Sequence, residues 1–319
     1  MSIADLVSLN LGSPVVLAFL LGVGAALLKS DLRFPEQVTS LLSTYLLFAI
    51  GLKGGMRLRE SSLSELAWPV LVTLILGVAT PIVAFLVARS FLRLDTINAA
   101  AIAAHYGSVS AVTFTAAESF TRAADTLAEG YLPALVAVLE VPGIVIALVL
   151  ASRASHGRSM SSAIHEVLTG KSVVLLLGGI VIGTIANEQA LTKVEPFFIG
   201  LFQGLLCLFL LDLGTLAGQR FNSIRRAGVR LLVFATALPV VFGVAGVLLA
   251  SLAGMSEGGA TVLAAMAASA SYIAAPAAVR VGLPEADIGV SLGAALGVTF
   301  PFNLIIGIPL YGEIAALIA

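Results

Sequence analysis

Charge is scarce in this sequence: Asp, Glu, Lys and Arg make up 11% of the 319 residues, where an ordinary soluble domain carries about 25%. With 59% of residues hydrophobic, a water-soluble fold would leave large apolar patches in solvent, so lipid is the main solvent. Neither sign dominates, 17 basic residues standing against 18 acidic, and this removes the electrostatic case for nucleic acid as a partner. Cysteine is nearly absent too. The single Cys207 excludes an intrachain disulfide and any multi-cysteine metal site; no transition-metal site and no cofactor are expected. Met1 to Ser13 holds one charge, Asp5, and lacks the basic start of a signal peptide, so the first apolar run is expected to stay in the mature chain.

What is abundant is apolar sequence in runs long enough for a hydrocarbon core about 30 Å thick, roughly 20 helical residues each. They fall near 14–28, 36–52, 66–91, 97–120, 131–152, 172–187, 196–218, 228–252, 258–280 and 286–317, which predicts ten spans. The first and sixth are short, as suits helices packed inside a bundle. Links are brief; the most hydrophilic, 153–171, holds Arg153, His156, Arg158, His165, Glu166 and Lys171. With the N-terminus outside, 12 Lys and Arg residues fall on inner connections and 5 on outer ones. The positive-inside rule therefore predicts both termini outside and the 153–171 link in the cytoplasm.

The halves align at an offset of 161 residues: Leu47-Phe48 with Leu208-Phe209, Leu52 with Leu213, Arg59 with Arg220, Gly22 with Gly183, Ser108 with Ser269 and Ser110 with Ser271. An odd number of spans per half turns the second half upside down. The expected architecture is an all-α integral membrane protein of ten transmembrane helices in two inverted five-helix repeats, 1–152 and 172–319, joined by the short link 153–171. Inverted repeats are a mark of secondary transporters, which bind their solute near the midplane where discontinuous helices meet.

Spans four and nine are expected to be broken and to cross. The fourth contains His105-Tyr106-Gly107-Ser108-Val109-Ser110, and the ninth contains Ser269-Ala270-Ser271-Tyr272 followed by Pro276. Glycine, proline and clustered hydroxyls are poor continuous-helix chemistry, and backbone freed inside a membrane needs protein or a cavity to satisfy it. The N-terminus of a half-helix offers unpaired N–H groups and a positive dipole end, which suits an anion. Gly107, Ser108, Ser110, Ser269 and Ser271 are thus the candidate substrate-binding residues, forming an oxyanion site without arginine. The competing reading is that these small residues serve only close helix packing.

Two acids are read inside the spans. Glu140, before Pro142 and Gly143, is a candidate ligand for Na⁺ or a proton carrier, with Thr113 and Asn303 as tentative companions. Its alternative is a buried hydrogen-bonding partner to another helix. Asp212 is expected to snorkel to the inner interface near Arg220. His105 is expected to satisfy loose backbone groups, and Tyr272 either gates or lines the cavity or is plain bundle core. Gly54-Gly55 reads as an outer turn, since the Gly-Lys-Ser/Thr of a phosphate loop is missing.

Over nearly its whole length the chain resembles the sodium-dependent bicarbonate transporters of the SbtA type. The matching residues are Gly51-Leu52-Lys53-Gly54-Gly55-Met56, similar to that family's GLTGGM; Gly107-Ser108-Val109-Ser110; Ala267-Ala268-Ser269 leading to Ser271; Pro276, Arg280, Gly282 and Pro284; and the stretch from Ile288 to Pro309. The resemblance implies a core and a gate domain, a homotrimer, elevator-like movement of the core, Na⁺ as coupling ion, bicarbonate held by the serines, and residence in the plasma (inner) membrane. The family's acid before the span-five proline falls on Glu140, where Asp is usual. Tyr272 stands where well-studied members carry an Asp, and Ala270 and Ala274 replace flanking serines. The resemblance also implies a PII-like regulatory protein docking on the cytoplasmic side, although the family's long insertion between the halves is absent, leaving only 153–171.

Sodium-coupled bicarbonate uptake is the first expectation, and a Na⁺- or H⁺-coupled carrier of another small organic anion the second. An intramembrane enzyme would need a complete catalytic set, yet His105 and Ser108 lack a placed third member. A channel would need a ring of pore-lining charge, and none is read.

Overall fold

The computed structural model describes residues 10–59, 61–151, 164–165, 168–219 and 228–318. Regular structure among them is helical throughout, as hydrocarbon requires of a backbone that satisfies its own hydrogen bonds. In chain order the elements are α1 (Pro14–Leu27), α2 (Glu36–Leu58), α3 (Leu63–Ser90), α4 (Thr96–Tyr106), α5 (Ala111–Ala123), α6 (Leu132–Ala151), α7 (Lys171–Ile185), α8 (Glu188–Glu195), α9 (Phe202–Gln219), α10 (Val229–Leu252), α11 (Glu257–Ala267), α12 (Ala274–Gly282), α13 (Ile288–Ala294) and α14 (Ile308–Ile318). A π-turn, Pro196–Gly200, joins α8 to α9, and two more, Ala295–Thr299 and Asn303–Gly307, flank Pro301 between α13 and α14. Six helical stretches are long and apolar enough to cross a membrane, and α1 and α7 are shorter apolar helices. The chain is a multi-pass helical membrane protein.

The helices overlap the expected runs with two clear departures: the seventh run lies in a helical stretch that begins earlier, at Glu188, and the second runs on to Leu58, which places Gly54-Gly55 inside α2 rather than in a turn. In lipid the pair has a different use. A side chain on Gly55 would strike the Ile180 carbonyl, and one on Gly183 the Leu52 carbonyl, so glycines on both helices let α2 and α7 touch backbone to backbone. The α1–α9 pair is built alike: Gly22 lies on the Leu211 carbonyl and Gly214 on the Phe19 carbonyl. Gly22 precedes Gly183 by 161 residues and Gly55 precedes Gly214 by 159, so the matching contacts carry a two-residue shift at α2 and α9 relative to α1 and α7.

The most extensive packing sorts the helices into two groups. One contains α1, α2, α7 and α9; the other contains α3 to α6 and α10 to α14. Helix α3 turns Leu71, Leu74, Ile75, Val78 and Leu86 outward, the face expected to meet lipid tails. Polar caps hold the ends. Ser62 and Glu65 form a capping box at α3, Asp95 caps α4, and Ser256 caps α11. Each of these last two half-helices is also gripped by a loop from the other half of the chain: Asp287 N–H donates to the Asn98 side chain at α4, and Gly258 N–H donates to the Thr126 carbonyl at α11.

Candidate functional site

The two breaks fall where the serines are. Helix α4 stops at Tyr106 and α5 begins at Ala111; α11 stops at Ala267 and α12 begins at Ala274. Both stand in the interior, with Ser108, Ser110, Ser269 and Ser271 all buried. Gly107 is required by close approach. Pro81 of α3 lies against it on one side and Gly143 of α6 on the other, and a side chain on Gly143 would run into the Gly107 carbonyl. That contact carries α6 close enough for Ser108 Oγ to donate to Glu140 Oε2 at 3.2 Å.

The breaks are laced to each other. Ser110 N–H donates to Ser269 Oγ at 2.9 Å, and Ser269 Oγ donates in turn to the Met266 carbonyl at 2.7 Å. From the other side, Ser271 N–H donates to the His105 carbonyl at 2.7 Å. Ser110 is the N-cap of α5, its Oγ accepting from Thr113 N–H at 3.1 Å, and Ser271, three residues ahead of α12, accepts from Ala275 N–H at 3.3 Å. Ser110 Oγ further meets the Tyr272 hydroxyl at 3.2 Å. A void of about 10 Å³ lies at the two half-helix starts, lined by Ser110, Ala111, Glu140, Ser271 and Tyr272, with Leu47 of α2 and Ser172 of α7 facing it from the other group. Of the first-turn N–H groups, those of Thr113 and Ala275 are taken by the serines and Pro276 has none, which leaves Ala111 and Val112 of α5 and Ala274 of α12 as the helix-start donors near the Glu140 carboxylate.

Gly107, Ser108, Ser110, Ser269, Ser271 and Glu140 are thus brought together, with buried Thr113 one turn inside α5. Asn303 has another engagement. Its Nδ2 donates to the Ala268 carbonyl at 2.8 Å, and its Oδ1 accepts from the Tyr311 hydroxyl at 3.0 Å, so one end of the amide ties the π-turn to the end of α11 and the other ties it to α14. His105 bonds through Nδ1 to the Ala101 carbonyl at 2.7 Å, as expected of a residue serving backbone. Asp212 corrects the sequence reading: it does not snorkel but is buried, accepting from Thr39 Oγ1 at 2.7 Å. Arg220, its expected neighbour, lies outside the described residues, as do Arg153, His156, Arg158 and Glu166.

Sequence reasoning missed Glu118. This buried carboxylate on α5 pairs with Lys53 Nζ of α2 at 3.4 Å and with Arg122 at 2.7 Å. It went unread because it sits four residues from an arginine near a span end, a pattern that ordinarily marks a surface pair. Ser172, beside Lys171 at the start of α7, had no signal to separate it from a simple cap. A larger cavity, about 560 Å³, lies near Arg57, Glu65, Trp68, Arg122 and Tyr131, away from the helix breaks. Its charged lining is already engaged, Arg122 with Glu118 and Glu65 with the Ser62 cap, so the small void carries the candidate chemistry.

Two interrupted helices bound together in the interior of an apolar bundle, with a carboxylate beside them, define a membrane protein built around a buried polar centre. The family model described as the Na⁺-dependent bicarbonate transporter superfamily matches residues 14–316, and the chain belongs to that superfamily. It is therefore of a transporter family and not an enzyme. Comparison with curated proteins gave no match.

Proposed function

We propose that this chain takes up bicarbonate with Na⁺ by alternating access, holding the anion between the starts of α5 and α12 and the cation near Glu140. The observation that carries the reading is the reciprocal lacing of the two breaks, Ser110 N–H to Ser269 Oγ and Ser271 N–H to the His105 carbonyl, with Glu140 on Ser108 alongside. Helix-start amides and hydroxyls suit a compact oxyanion, while a carboxylate among apolar helices needs a cation or a proton to offset its burial. Candidate anion ligands are Ser108, Ser110, Ser269 and Ser271; candidate cation ligands are Glu140 and Thr113, Asn303 being engaged elsewhere.

The architecture behind this is ten spans in two inverted repeats. Supporting it are the alike glycine contacts of α1–α9 and α2–α7, and the alike grips on α4 and α11, each pair drawing one partner from either half of the chain. The grouping of α1, α2, α7 and α9 against the remainder suits a gate against which a core slides as an elevator. Homotrimeric assembly, residence in the inner membrane with both termini outside, and bicarbonate itself rest on the likeness to the family. The test is purified protein in liposomes under an imposed Na⁺ gradient, comparing labelled bicarbonate with labelled small carboxylates. Bicarbonate accumulation that requires the inward gradient is expected. Accumulation of a carboxylate in its place would transfer the reading to a carrier of organic anions.

A further inference from the structure

The void at the helix breaks, about 10 Å³, has room for roughly one water molecule. A carbon bearing three oxygens is larger. The side chain that takes up the remaining space is the Tyr272 ring, buried between the two half-helix starts with its hydroxyl on Ser110 Oγ. The ring is fixed from behind as well. It meets Phe300 edge-on, centroids 5.3 Å apart, and Phe300 meets Phe19 of α1 edge-on at 5.2 Å. This line of three rings runs from the breaks to the first helix group, so the phenol is held at its polar end by the α5 cap and along its face by aromatic packing.

A ring held at both ends sets the size of what can share its space. We propose that Tyr272 is a specificity-determining residue: its ring limits the site to compact oxyanions, and its hydroxyl leaves Ser110 to bond the anion once one enters. This deepens the proposed function and rests on the anion lying at the helix breaks, though not on that anion being bicarbonate. The phenol brings a hydrogen-bond donor without a charge, so it does not repel an anion as a carboxylate would. Removing the ring would leave a space lined by Ser110 and Ser271, by Glu140 and by the apolar Leu47 and Ile273, with room for the tail of a longer carboxylate.

The experiment uses full-length wild type, Tyr272→Phe and Tyr272→Ala, purified in detergent and also reconstituted. Bicarbonate, formate, acetate, propionate and butyrate are the probes. Two readouts are taken: the rise in Tm at graded anion concentrations, since a ligand of the folded state stabilises it, and uptake of each labelled anion. Wild type is expected to respond to bicarbonate and formate and to fall off steeply by propionate. Tyr272→Ala is expected to gain about tenfold or more in apparent affinity for propionate relative to bicarbonate. Tyr272→Phe should keep the size limit and lose affinity for bicarbonate by roughly tenfold through the missing hydroxyl. The same size ranking in wild type and folded Tyr272→Ala, or response to none of the series by either protein, overturns the proposal. A wild type that takes formate but not bicarbonate overturns bicarbonate as the substrate and leaves the size limit standing on the other probes.

Discussion

Glu140 and Asn303 look alike from the sequence, each a polar residue beside a proline in an apolar span, yet their surroundings separate them. Glu140 accepts from Ser108 and lines the void at the helix breaks, whereas both ends of the Asn303 amide are bound by Ala268 and Tyr311. Glu140→Gln keeps the shape and removes the charge, so Na⁺ stimulation of uptake should fall at least about tenfold, the scale of a lost charged contact of ~1.5–3 kcal/mol. An unchanged Na⁺ response in a folded variant would make Glu140 a structural residue. Asn303→Leu should act on stability instead, since it leaves the buried Ala268 carbonyl without its donor, about 1–3 kcal/mol. A Tm lowered with Na⁺ affinity intact is the expected result; weakened Na⁺ affinity at normal Tm would restore Asn303 to the cation site. Nothing in a linear sequence tells these two residues apart, because the distinction lies in which carbonyl or void the chain folds against each.

Helix ends were more legible than helix partners. The breaks were marked in advance by Gly107 and the paired serines, residues that favour local hydrogen bonds over continuous helix, and the structure interrupts the helices there. Gly54-Gly55 misled because in water such a pair is a turn, while inside α2 Gly55 lets the α2 and α7 backbones meet and Gly54 lies against Pro133 of α6. The same logic makes Gly143→Ala a sharp test. Its new methyl would collide with the Gly107 carbonyl, pushing α6 from the break at a cost of ~1–3 kcal/mol and drawing Glu140 off Ser108. Loss of both Tm and transport is expected; normal transport would show that the α4–α6 contact does not set the site. Asp95 offers a test by pH. The Asn98 N–H and side-chain amide hold its carboxyl below the ordinary range, so the α4 cap stabilises at neutral pH and its contribution is lost as pH falls through that lowered value. Asp95→Ala should therefore lower Tm at pH 7, on the scale of about 1 kcal/mol for a lost cap, and differ little from wild type in strong acid. A gap that stays constant with pH would mean the carboxylate is not the cap.

Among the described residues, few polar links join the two helix groups. Lys53 to Glu118 is one, and the Gln203 amide on Ser119 Oγ at 2.8 Å is another. These contacts join residues 65 and 84 positions apart, and no periodicity or spacing announces such pairs. If the groups slide during transport, both contacts must open. Cysteines at Ser119 and Gln203, with Cys207 replaced by Ser and joined by a short cleavable crosslinker, should stop uptake, and cleavage should restore it. Full transport in the crosslinked protein would fix the groups relative to each other and end the elevator account. The central claim, that solute is held where the two broken helices meet, is tested most directly by Na⁺-driven uptake of labelled bicarbonate into liposomes, measured side by side for wild type and the Ser108→Ala/Ser271→Ala double variant. At about 1 kcal/mol for each hydroxyl, the variant should fold normally and take up bicarbonate roughly thirtyfold more slowly at low concentration. Equal rates from two equally folded proteins would contradict the claim and place the solute elsewhere in the bundle.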